Sequence, residues 1–419
     1  MAVKEFDPAT VDLTSPDTFA ERIPYEYFDW LRANEPVYWH PEQPPNHGFW
    51  VVTKYEDLVA VHRDFRTFSS EVGHVSLEEL QPDELAARQS MLETDPPKHS
   101  RLRRIVSQFF TPRAVGAYEE FVRDLAREIL DEALPLREFD FLHEVSAPYP
   151  INVLVRILGA PPEDAPRLVD LGDRMIANTD PDYADVVFGQ DDTSAYRLLT
   201  FRSPAAVELS DYGLELAARR RREPEDDLVS KLVHAEVDGE RLGDREFANF
   251  MALLVIAGNE TTRQALSSTI MLLADHPDEL RELGDDPSLL PVALEEILRL
   301  ASPVFYFRRT ATADIELSGA HIRAGDKVTT WYVSANLDED VFPDPYRFDI
   351  RREPNEHAAF GKYGPHFCLG AYLARLEMRV MLEELLPRVR SLEVTGPVPR
   401  VRSNFVNGVK KLPVRVELR

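Results

Sequence analysis

The sequence predicts a mainly α fold with small β-sheets, formed by one domain over residues 1–419 with a short N-terminal extension at about 1–14. Most long segments repeat apolar residues at the 3.6-residue helical spacing. One of them continues for about thirty residues and is apolar on all sides at its centre, which indicates a buried central helix. The strand-like segments are short, and no repeat or Gly/Ser linker divides the chain.

The elements before the central helix follow from spacing and from capping residues. Residues 16–34 predict one amphipathic helix, and Thr111 followed by Pro112 predicts a helix start, with that helix continuing to about Leu134. Short strands are expected at 37–39 and 49–52, and further helices at 55–64, 95–110, 143–158, 163–177 and 205–222.

The central helix is predicted from Asp244, a plausible N-cap, to His276, just before Pro277. Gly258 and Glu260 lie inside its buried part, where a glycine costs about 1 kcal/mol and a carboxylate costs more unless it is paired. Two interpretations stand. Either Gly258 permits close helix contact while Glu260 reaches solvent, or the helix is loosened where a ligand approaches.

The C-terminal third begins with a helix at about 288–301, in which Glu296 and Arg299 share a face. Most such pairs are exposed and contribute a few tenths of a kcal/mol. Residues 304–333 predict strands with turns at Ser318–Gly319 and Ala324–Gly325, and a proline-rich irregular stretch at 340–349 comes next.

Charge and cysteine content limit the function. The chain has 48 basic and 73 acidic residues, a net charge of −25, which argues against nucleic acid or an anionic membrane as partner. The first 30 residues lack an apolar signal segment, and no window approaches the roughly 20 apolar residues of a membrane span. A single cysteine suits a cytoplasmic location.

That cysteine, Cys368, lies in the segment Phe360-Gly-Lys-Tyr-Gly-Pro-His-Phe-Cys-Leu-Gly370, just before a periodic helix. A helix start favours an anion, so a lowered thiol pKa is expected. Zinc would need more Cys or His at ligand spacing, and only His366 is near. A nucleophile would need a His and an orienting partner. Neither explains three glycines, whereas a thiolate beneath a flat porphyrin does.

The chain resembles the cytochrome P450 family of the soluble bacterial type. Five motifs in the same order over essentially the whole length carry this resemblance: His99-Ser-Arg-Leu-Arg103, Ala257-Gly-Asn-Glu-Thr-Thr262, Glu296-Ile-Leu-Arg299, Tyr346-Arg-Phe348 and the cysteine segment. The family loop has Phe seven residues before the cysteine, where this chain has Gly361, with Phe360 one residue earlier. This departure resembles the actinobacterial subgroup that oxidises sterol and branched-lipid side chains.

The resemblance implies haem b between the central helix and the cysteine loop, with Cys368 as the iron ligand. The other residues that it assigns to cofactor binding are His99, Arg103, Ala257, Arg309, Phe360, Gly361, His366 and Gly370. Among them, His99, Arg103, His366 and Arg309 would bind the propionates, with Arg308 as the rival of Arg309. Glu296, Arg299 and Arg347 would form a buried charge cluster that holds the cysteine loop.

Glu260 and Thr261 match the family's acid–alcohol pair over the oxygen site, so they are the expected catalytic residues. Their presence favours dioxygen plus two electrons as co-substrates. The resemblance names a ferredoxin and its reductase as the electron donors. The ferredoxin would dock near Arg104, Arg113, Lys362 and Arg379.

The substrate pocket is expected, by family position, from residues in 72–92 and 172–200 together with Leu253, Ile256, Ala257, Val304, Phe305, Tyr306, Phe405 and Val406. Many of these are apolar, which suits a hydrophobic ligand such as a sterol, terpenoid or fatty-acyl chain. The predicted activity is monooxygenation of that ligand. The alternatives are coupling, ring closure or desaturation on the same fold, and a haem sensor without oxygenase activity.

Overall fold

A computed structural model describes residues 6–237 and 239–419. In this part of the chain the α-helices are α1 (Pro16–Glu21), α2 (Tyr25–Asn34), α3 (Tyr55–Arg63), α4 (Pro82–Arg88), α5 (Lys98–Ser107), α6 (Pro112–Gly116), α7 (Glu119–Ala133), α8 (Pro148–Leu158), α9 (Ala165–Ile176), α10 (Ala205–Arg222), α11 (Leu228–His234), α12 (Asp244–Asp275), α13 (Pro277–Asp285), α14 (Leu290–Ala301), α15 (Tyr332–Ala335) and α16 (Ala371–Leu385).

The strands are short and form four sheets. They are β1 (Val37–His40), β2 (Phe49–Val52), β3 (Phe68–Ser69), β4 (Glu138–Asp140), β5 (Glu236–Val237), β6 (Glu240–Arg241), β7 (Tyr306–Ala311), β8 (Ile315–Leu317), β9 (Ala320–Ile322), β10 (Lys327–Trp331), β11 (Val389–Val394) and β12 (Pro413–Leu418). The largest sheet has the order β1-β2-β10-β7-β3, the next has the order β11-β12-β4, and the other two are the hairpins β5-β6 and β8-β9.

Helix α12 is the central element. Its 32 residues give a length of ~48 Å, and it contacts α8, α9, α10, α14 and α16. The Glu246 carboxylate accepts the N–H of Gly243 at 3.0 Å, so Gly243 is the N-cap and the predicted cap, Asp244, is the first helical residue. The main core consists of apolar side chains from this helix and its neighbours.

Two predicted helices are each divided in two. The helix expected at 16–34 is interrupted over residues 22–24, where Pro24 cannot donate a backbone hydrogen bond, so α1 ends at Glu21 and α2 begins at Tyr25. The helix expected from Pro112 is interrupted after Gly116, although Thr111 caps it as predicted, accepting the Ala114 N–H at 3.2 Å. These breaks leave the predicted mainly α class intact.

The N-terminal extension predicted at about 1–14 falls partly outside the described residues. Within them, the side chain of Leu13 is fully buried, and its backbone N–H donates to Nε2 of His40 at 3.1 Å. The chain is therefore integrated into the fold from Leu13 onwards. None of the helices in the described residues is both long and apolar enough to span a membrane.

Candidate active site

The cysteine segment is a tight loop leading into α16. The Cys368 N–H donates to the Phe360 carbonyl at 2.8 Å. Gly361 has φ +71°, and a Cβ at Gly364 would lie 2.5 Å from the His62 carbonyl oxygen, so both positions require glycine. A Cβ at Gly370 would meet no atom within 4 Å, which leaves free space beside the thiol.

Cys368 is partly buried, and the burial of its sulfur raises the pKa of the thiol. The Gly370 N–H, Arg103 and Arg375 act in the opposite direction but do not outweigh burial. The expected lowering of the thiol pKa by the helix start is therefore wrong for the protein alone, because the cost of burying an anion exceeds the effect of the helix end.

Phe360 is held against α16, with its ring centroid 4.5 Å from the guanidinium carbon of Arg375. Arg375 donates twice to Glu295, each at 2.7 Å. His357 Nε2 lies 2.9 Å from the same carboxylate. Burial opposes ionisation of Glu295, but the bonds from Arg375 and His357 outweigh it and lower its pKa to about 2. Sequence reasoning missed this role of Glu295, which is adjacent to Glu296 in the chain but binds different partners.

Glu296 and Arg299 form the predicted buried pair, with Nε to Oε2 at 2.7 Å and Nη2 to Oε1 at 2.8 Å. The third member is Arg352, whose Nε lies 3.1 Å from both oxygens of Glu296. The prediction of Arg347 for this place is wrong. Phe348 takes the inward position in that turn, so Arg347 is exposed and only its carbonyl contacts Arg352.

A basic pocket lies beside the cysteine loop, formed by His99, Arg103, Arg309 and His366. The rings of His99 and His366 are 4.1 Å apart, and both nitrogens of His99 are buried without a hydrogen-bond partner in the described residues. Burial, assisted by Arg103 and Arg309, lowers the pKa of His99 to about 4. Two neutral rings and two cations thus face one another, and Asp95 is the acidic group that acts on both His99 and Arg309.

The alternation of side chains along β7 places its two adjacent arginines, Arg308 and Arg309, on opposite faces of the strand. Arg308 lies on the face toward Gly73, where its guanidinium contacts Glu79 at 3.5 Å and the Glu78 carbonyl at 3.2 Å. Arg309 lies on the other face, where its charge lowers the pKa of His99 and His366. Arg309 makes no ion pair within residues 6–237 and 239–419, although it is buried.

On α12, Thr261 Oγ1 donates to the Ala257 carbonyl at 2.8 Å. The helix continues without interruption from Asp244 to Asp275, so the bulge expected near Gly258 is absent from it. The backbone around Gly258 has no open gap either, since a Cβ there would touch Leu154 at 3.5 Å. The site is therefore shaped by side chains and not by an unwound turn.

Glu260 is buried and does not reach solvent, contrary to the first interpretation of its sequence position. It forms an ion pair with Arg263, which also bonds Asp173 at 2.7 Å, and it accepts from Gln264 Nε2 at 2.8 Å. Burial and the Asp173 carboxylate together outweigh Arg263 and raise the pKa of Glu260 to about 7. Such a carboxyl exchanges a proton readily near neutral pH.

One cavity joins this acid–alcohol pair to the expected substrate pocket. Its lining includes Leu253, Ile256, Ala257, Glu260, Thr261, Val304, Phe405 and Val406 of the predicted residues. Phe305 and Tyr306 are not part of it. They lie in a second core cluster against Phe19 and Trp331, while Phe307 points into the cavity instead.

Sequence reasoning also missed Phe201 and Asn249 in the lining. Phe201 lies in a short irregular turn with φ 57°, outside any periodic pattern. Asn249 lies two turns before Ala257 on α12, and its spacing of four residues from Leu253 was a usable signal. Its side chain donates to the carbonyls of Ala87 and Gln89 at 2.9 and 3.1 Å, joining α12 to the segment after α4.

Comparison with known proteins gives a consistent result over nearly the whole chain. The family model described as Cytochrome P450 matches residues 18–286 and 286–415. A steroid C26-monooxygenase of Mycobacterium tuberculosis is 36% identical over 416 residues, which cover 96% of this chain and 92% of that protein. A methyl-branched lipid omega-hydroxylase of the same species is 40% identical over 396 residues, 92% of this chain and 90% of that protein.

Among solved structures, a Mycobacterium marinum cytochrome P450 in complex with pseudoionone superposes with a TM-score of 0.88 at 39% identity. The superposition covers 99% of this chain and 100% of that one. The similarity therefore extends to the order and placement of the elements described above.

Proposed function

Because this chain belongs to the cytochrome P450 family, whose haem-thiolate iron oxidises hydrophobic substrates, we propose that it hydroxylates the side chain of a sterol, terpenoid or branched lipid. One observation carries the proposal: a largely apolar cavity opens onto Glu260 and Thr261. The names of the two mycobacterial relatives support the substrate class.

The residues of the site fit a haem. The basic pocket of His99, Arg103, Arg309 and His366, in which neither arginine forms an ion pair among the described residues, suits the two propionates of haem b. The free space beside Gly370 and the apolar lining at Ala257 suit a flat macrocycle between α12 and the cysteine loop. We assign Cys368 as the iron ligand. Binding to a cation would overcome the raised pKa of its thiol, since a metal favours the deprotonated form.

The haem-thiolate group supplies the oxidation of the substrate carbon, since its thiolate ligand favours O–O cleavage. The protein's own residues hold and move protons. Thr261 Oγ1 donates to the Ala257 carbonyl, so a rotation of this side chain frees its proton for a ligand in the cavity. Glu260 is a buried acid beside it, connected through Arg263 to Asp173, whose side chain is 14% exposed. A proton from the surface would pass between the Asp173 and Glu260 carboxyls, while Arg263, which keeps its own proton, only holds the two carboxyls in place.

We assign electron delivery to a ferredoxin, which is itself reduced by its reductase. We also place this protein and both of these redox partners in the cytoplasm. Of the four cations expected at the docking face, Arg104 and Arg113 are exposed. Lys362 pairs with Glu356, and Arg379 bonds Glu119 and Glu383, so these two contribute less. The rings of Tyr363, Phe367 and Tyr372 are exposed around the cysteine loop and would add apolar contact.

The test is a spectral titration of the purified holoprotein with a panel of sterols, terpenoids and fatty acids, followed by product analysis with a ferredoxin system. Apolar ligands should shift the ferric spectrum by displacing water from the iron, and side-chain alcohols should be the products. A shift with small charged compounds alone would contradict the proposal.

A further inference from the structure

The cavity over α12 has one polar corner among its apolar walls. This corner consists of His74, Ser76, Ser90 and Glu93, from the segment between β3 and α5. The walls near Thr261 are apolar, with side chains such as Leu253, Val304 and Phe405. A ligand that fills the cavity therefore meets a cluster of hydrogen-bonding groups at this corner and mainly hydrocarbon along the walls near Thr261.

His74 presents a hydrogen-bond donor at the corner. Its Nδ1 accepts the backbone N–H of Ser76 at 3.3 Å and lies 2.7 Å from Ser76 Oγ. Since Nδ1 accepts, the proton of the neutral ring is on Nε2. Burial lowers the pKa of His74, which keeps the ring neutral. Nε2 lies on the side of Glu93.

Glu93 presents the matching acceptor. Its Oε2 accepts from the N–H and the hydroxyl of Ser90, at 3.0 and 2.5 Å. Its Oε1 lies 3.8 Å from Nε2 of His74, too far for a direct hydrogen bond. A donor and an acceptor thus face each other across a gap that one hydroxyl oxygen can bridge, accepting from Nε2 and donating to Oε1.

The corner does not suit a carboxylate. The one guanidinium among the described lining residues belongs to Arg88, and its charge is already paired with Glu78 within the protein. Nη1 bonds Glu78 at 2.9 Å, and Nε and Nη2 donate to the Arg197 carbonyl at 2.9 and 2.5 Å. An ionised acid at the corner would meet the charge of Glu93 with no free cation to offset it.

We propose that the substrate carries an uncharged hydroxyl group that bridges His74 and Glu93, so that the enzyme selects lipid alcohols over the corresponding ethers, hydrocarbons and acids. This inference rests on the proposed function, since the corner opens into the same cavity as Glu260 and Thr261.

The first test compares four ligands with one carbon skeleton by spectral titration of the wild-type holoprotein: farnesol, its methyl ether, farnesene and farnesoic acid. Farnesol should bind about tenfold more tightly than the ether or the hydrocarbon, since only a hydroxyl both accepts and donates. The acid should bind most weakly. Equal affinity of the alcohol and the ether, or tighter binding of the acid, would overturn the inference.

The second test uses three variants with the same ligands. Glu93→Gln removes the negative charge, so farnesoic acid should gain about tenfold in affinity. His74→Phe removes the donor, so the ratio between alcohol and ether should fall toward one. Glu79→Gln is the matched control, because Glu79 bonds Arg308 and Lys327 and does not line the cavity. Its ligand ratios should equal those of the wild type.

The absorbance of the reduced, carbon monoxide-bound protein separates the two possible failures. Loss of the thiolate signature from the wild-type protein would overturn the proposed function and this inference together. A normal signature, with ligand ratios that stay at wild-type values in both cavity variants, would overturn this inference alone.

Discussion

At the scale of single residues, the chemistry depends on two residues whose hydrogen-bond partners lie in the same segment of the chain, eight residues away for Cys368 and four for Thr261. Cys368 is fixed by a hydrogen bond from its own N–H to Phe360, and Thr261 by one to Ala257. Both groups are thus placed by the local geometry of the backbone.

The first prediction concerns Cys368. Its replacement by Ala or His should abolish the carbon monoxide signature of a thiolate-ligated haem, because no other cysteine exists in the chain. Haem content is measured in parallel, so that loss of the ligand is distinguished from loss of the cofactor. A preserved signature in the His variant would contradict the assignment.

The second prediction concerns Thr261. Thr261→Ala should bind haem and substrate and still consume reductant, but oxygen should be released as peroxide, lowering product per reductant consumed by about 10²-fold or more. Thr262→Ala, the adjacent hydroxyl outside the cavity lining, is the control and should keep the wild-type ratio. A Thr261→Ala enzyme with unchanged coupling would rule out the proposed proton role.

The third prediction is a pH dependence set by Glu260. Its pKa is raised to about 7, so the protonated form that can donate predominates below this pH and declines above it. Turnover should therefore fall as the pH rises through about 7. Glu260→Gln should be slower overall and should lack this inflection. A wild-type profile that stays flat from pH 6 to about pH 8 would be inconsistent with Glu260 as donor.

At the scale of elements, α14 carries two adjacent acids that serve different partners. Glu296 binds Arg299 and Arg352, while Glu295 binds Arg375 of α16 and His357. Together they join α14 to the segment before the cysteine loop on one side and to the helix after it on the other. The loop is thereby held at both ends by one helix.

The fourth prediction follows from this arrangement. Glu296→Ala or Arg299→Ala should give haem-poor, unstable protein, since an unpaired buried charge costs roughly 3–5 kcal/mol, a large part of a typical ~5–15 kcal/mol. Arg347→Ala is a matched control because this residue is exposed, and it should change stability by less than about 0.5 kcal/mol. Melting curves and haem occupancy measure both. A larger loss of stability for Arg347→Ala than for Arg352→Ala would contradict the assignment of Arg352 as the third member of the buried cluster.

The elements also show where sequence reasoning succeeds and where it stops. Helix α10 has the predicted bounds of 205–222, and α12 is one residue shorter than predicted, because strong periodicity and caps are local signals. The prediction that Phe305 and Tyr306 line the cavity is wrong. Phe305, Tyr306 and Phe307 are all large and aromatic, and strand parity is set by pairing with β10, which the sequence alone does not specify.

At the scale of the whole molecule, the charged side chains are unevenly distributed over the surface. The net charge is −25, yet Arg104 and Arg113, two of the cations expected at the docking face, are exposed. Long-range repulsion of an acidic ferredoxin would thus be opposed by a local attraction that acts over about a Debye length, ~10 Å at 0.1 M salt. Replacing either of these two arginines should therefore weaken docking more than its small contribution to the net charge suggests.

The fifth prediction tests this directly. Arg104→Glu and Arg113→Glu should each raise KM for ferredoxin several-fold while leaving substrate binding unchanged, because rim charges act mainly on association. Arg245→Glu, an exposed cation in the first turn of α12, adds the same negative charge far from the cysteine loop. If all three variants behave alike, net charge alone governs the encounter.

The junction between the first and last parts of the fold has a consequence for biosynthesis. Asn404 donates to the carbonyls of Leu13 and Thr14, and Arg400 donates to the carbonyl of Phe19, contacts that span more than 380 residues. On the ribosome, the segment around Leu13 and Phe19 emerges first but cannot complete its contacts until the last stretch has been translated. Until these contacts form, the packing of its apolar side chains is incomplete, so chaperones should retain nascent chains halted before Arg400 longer than chains that include it.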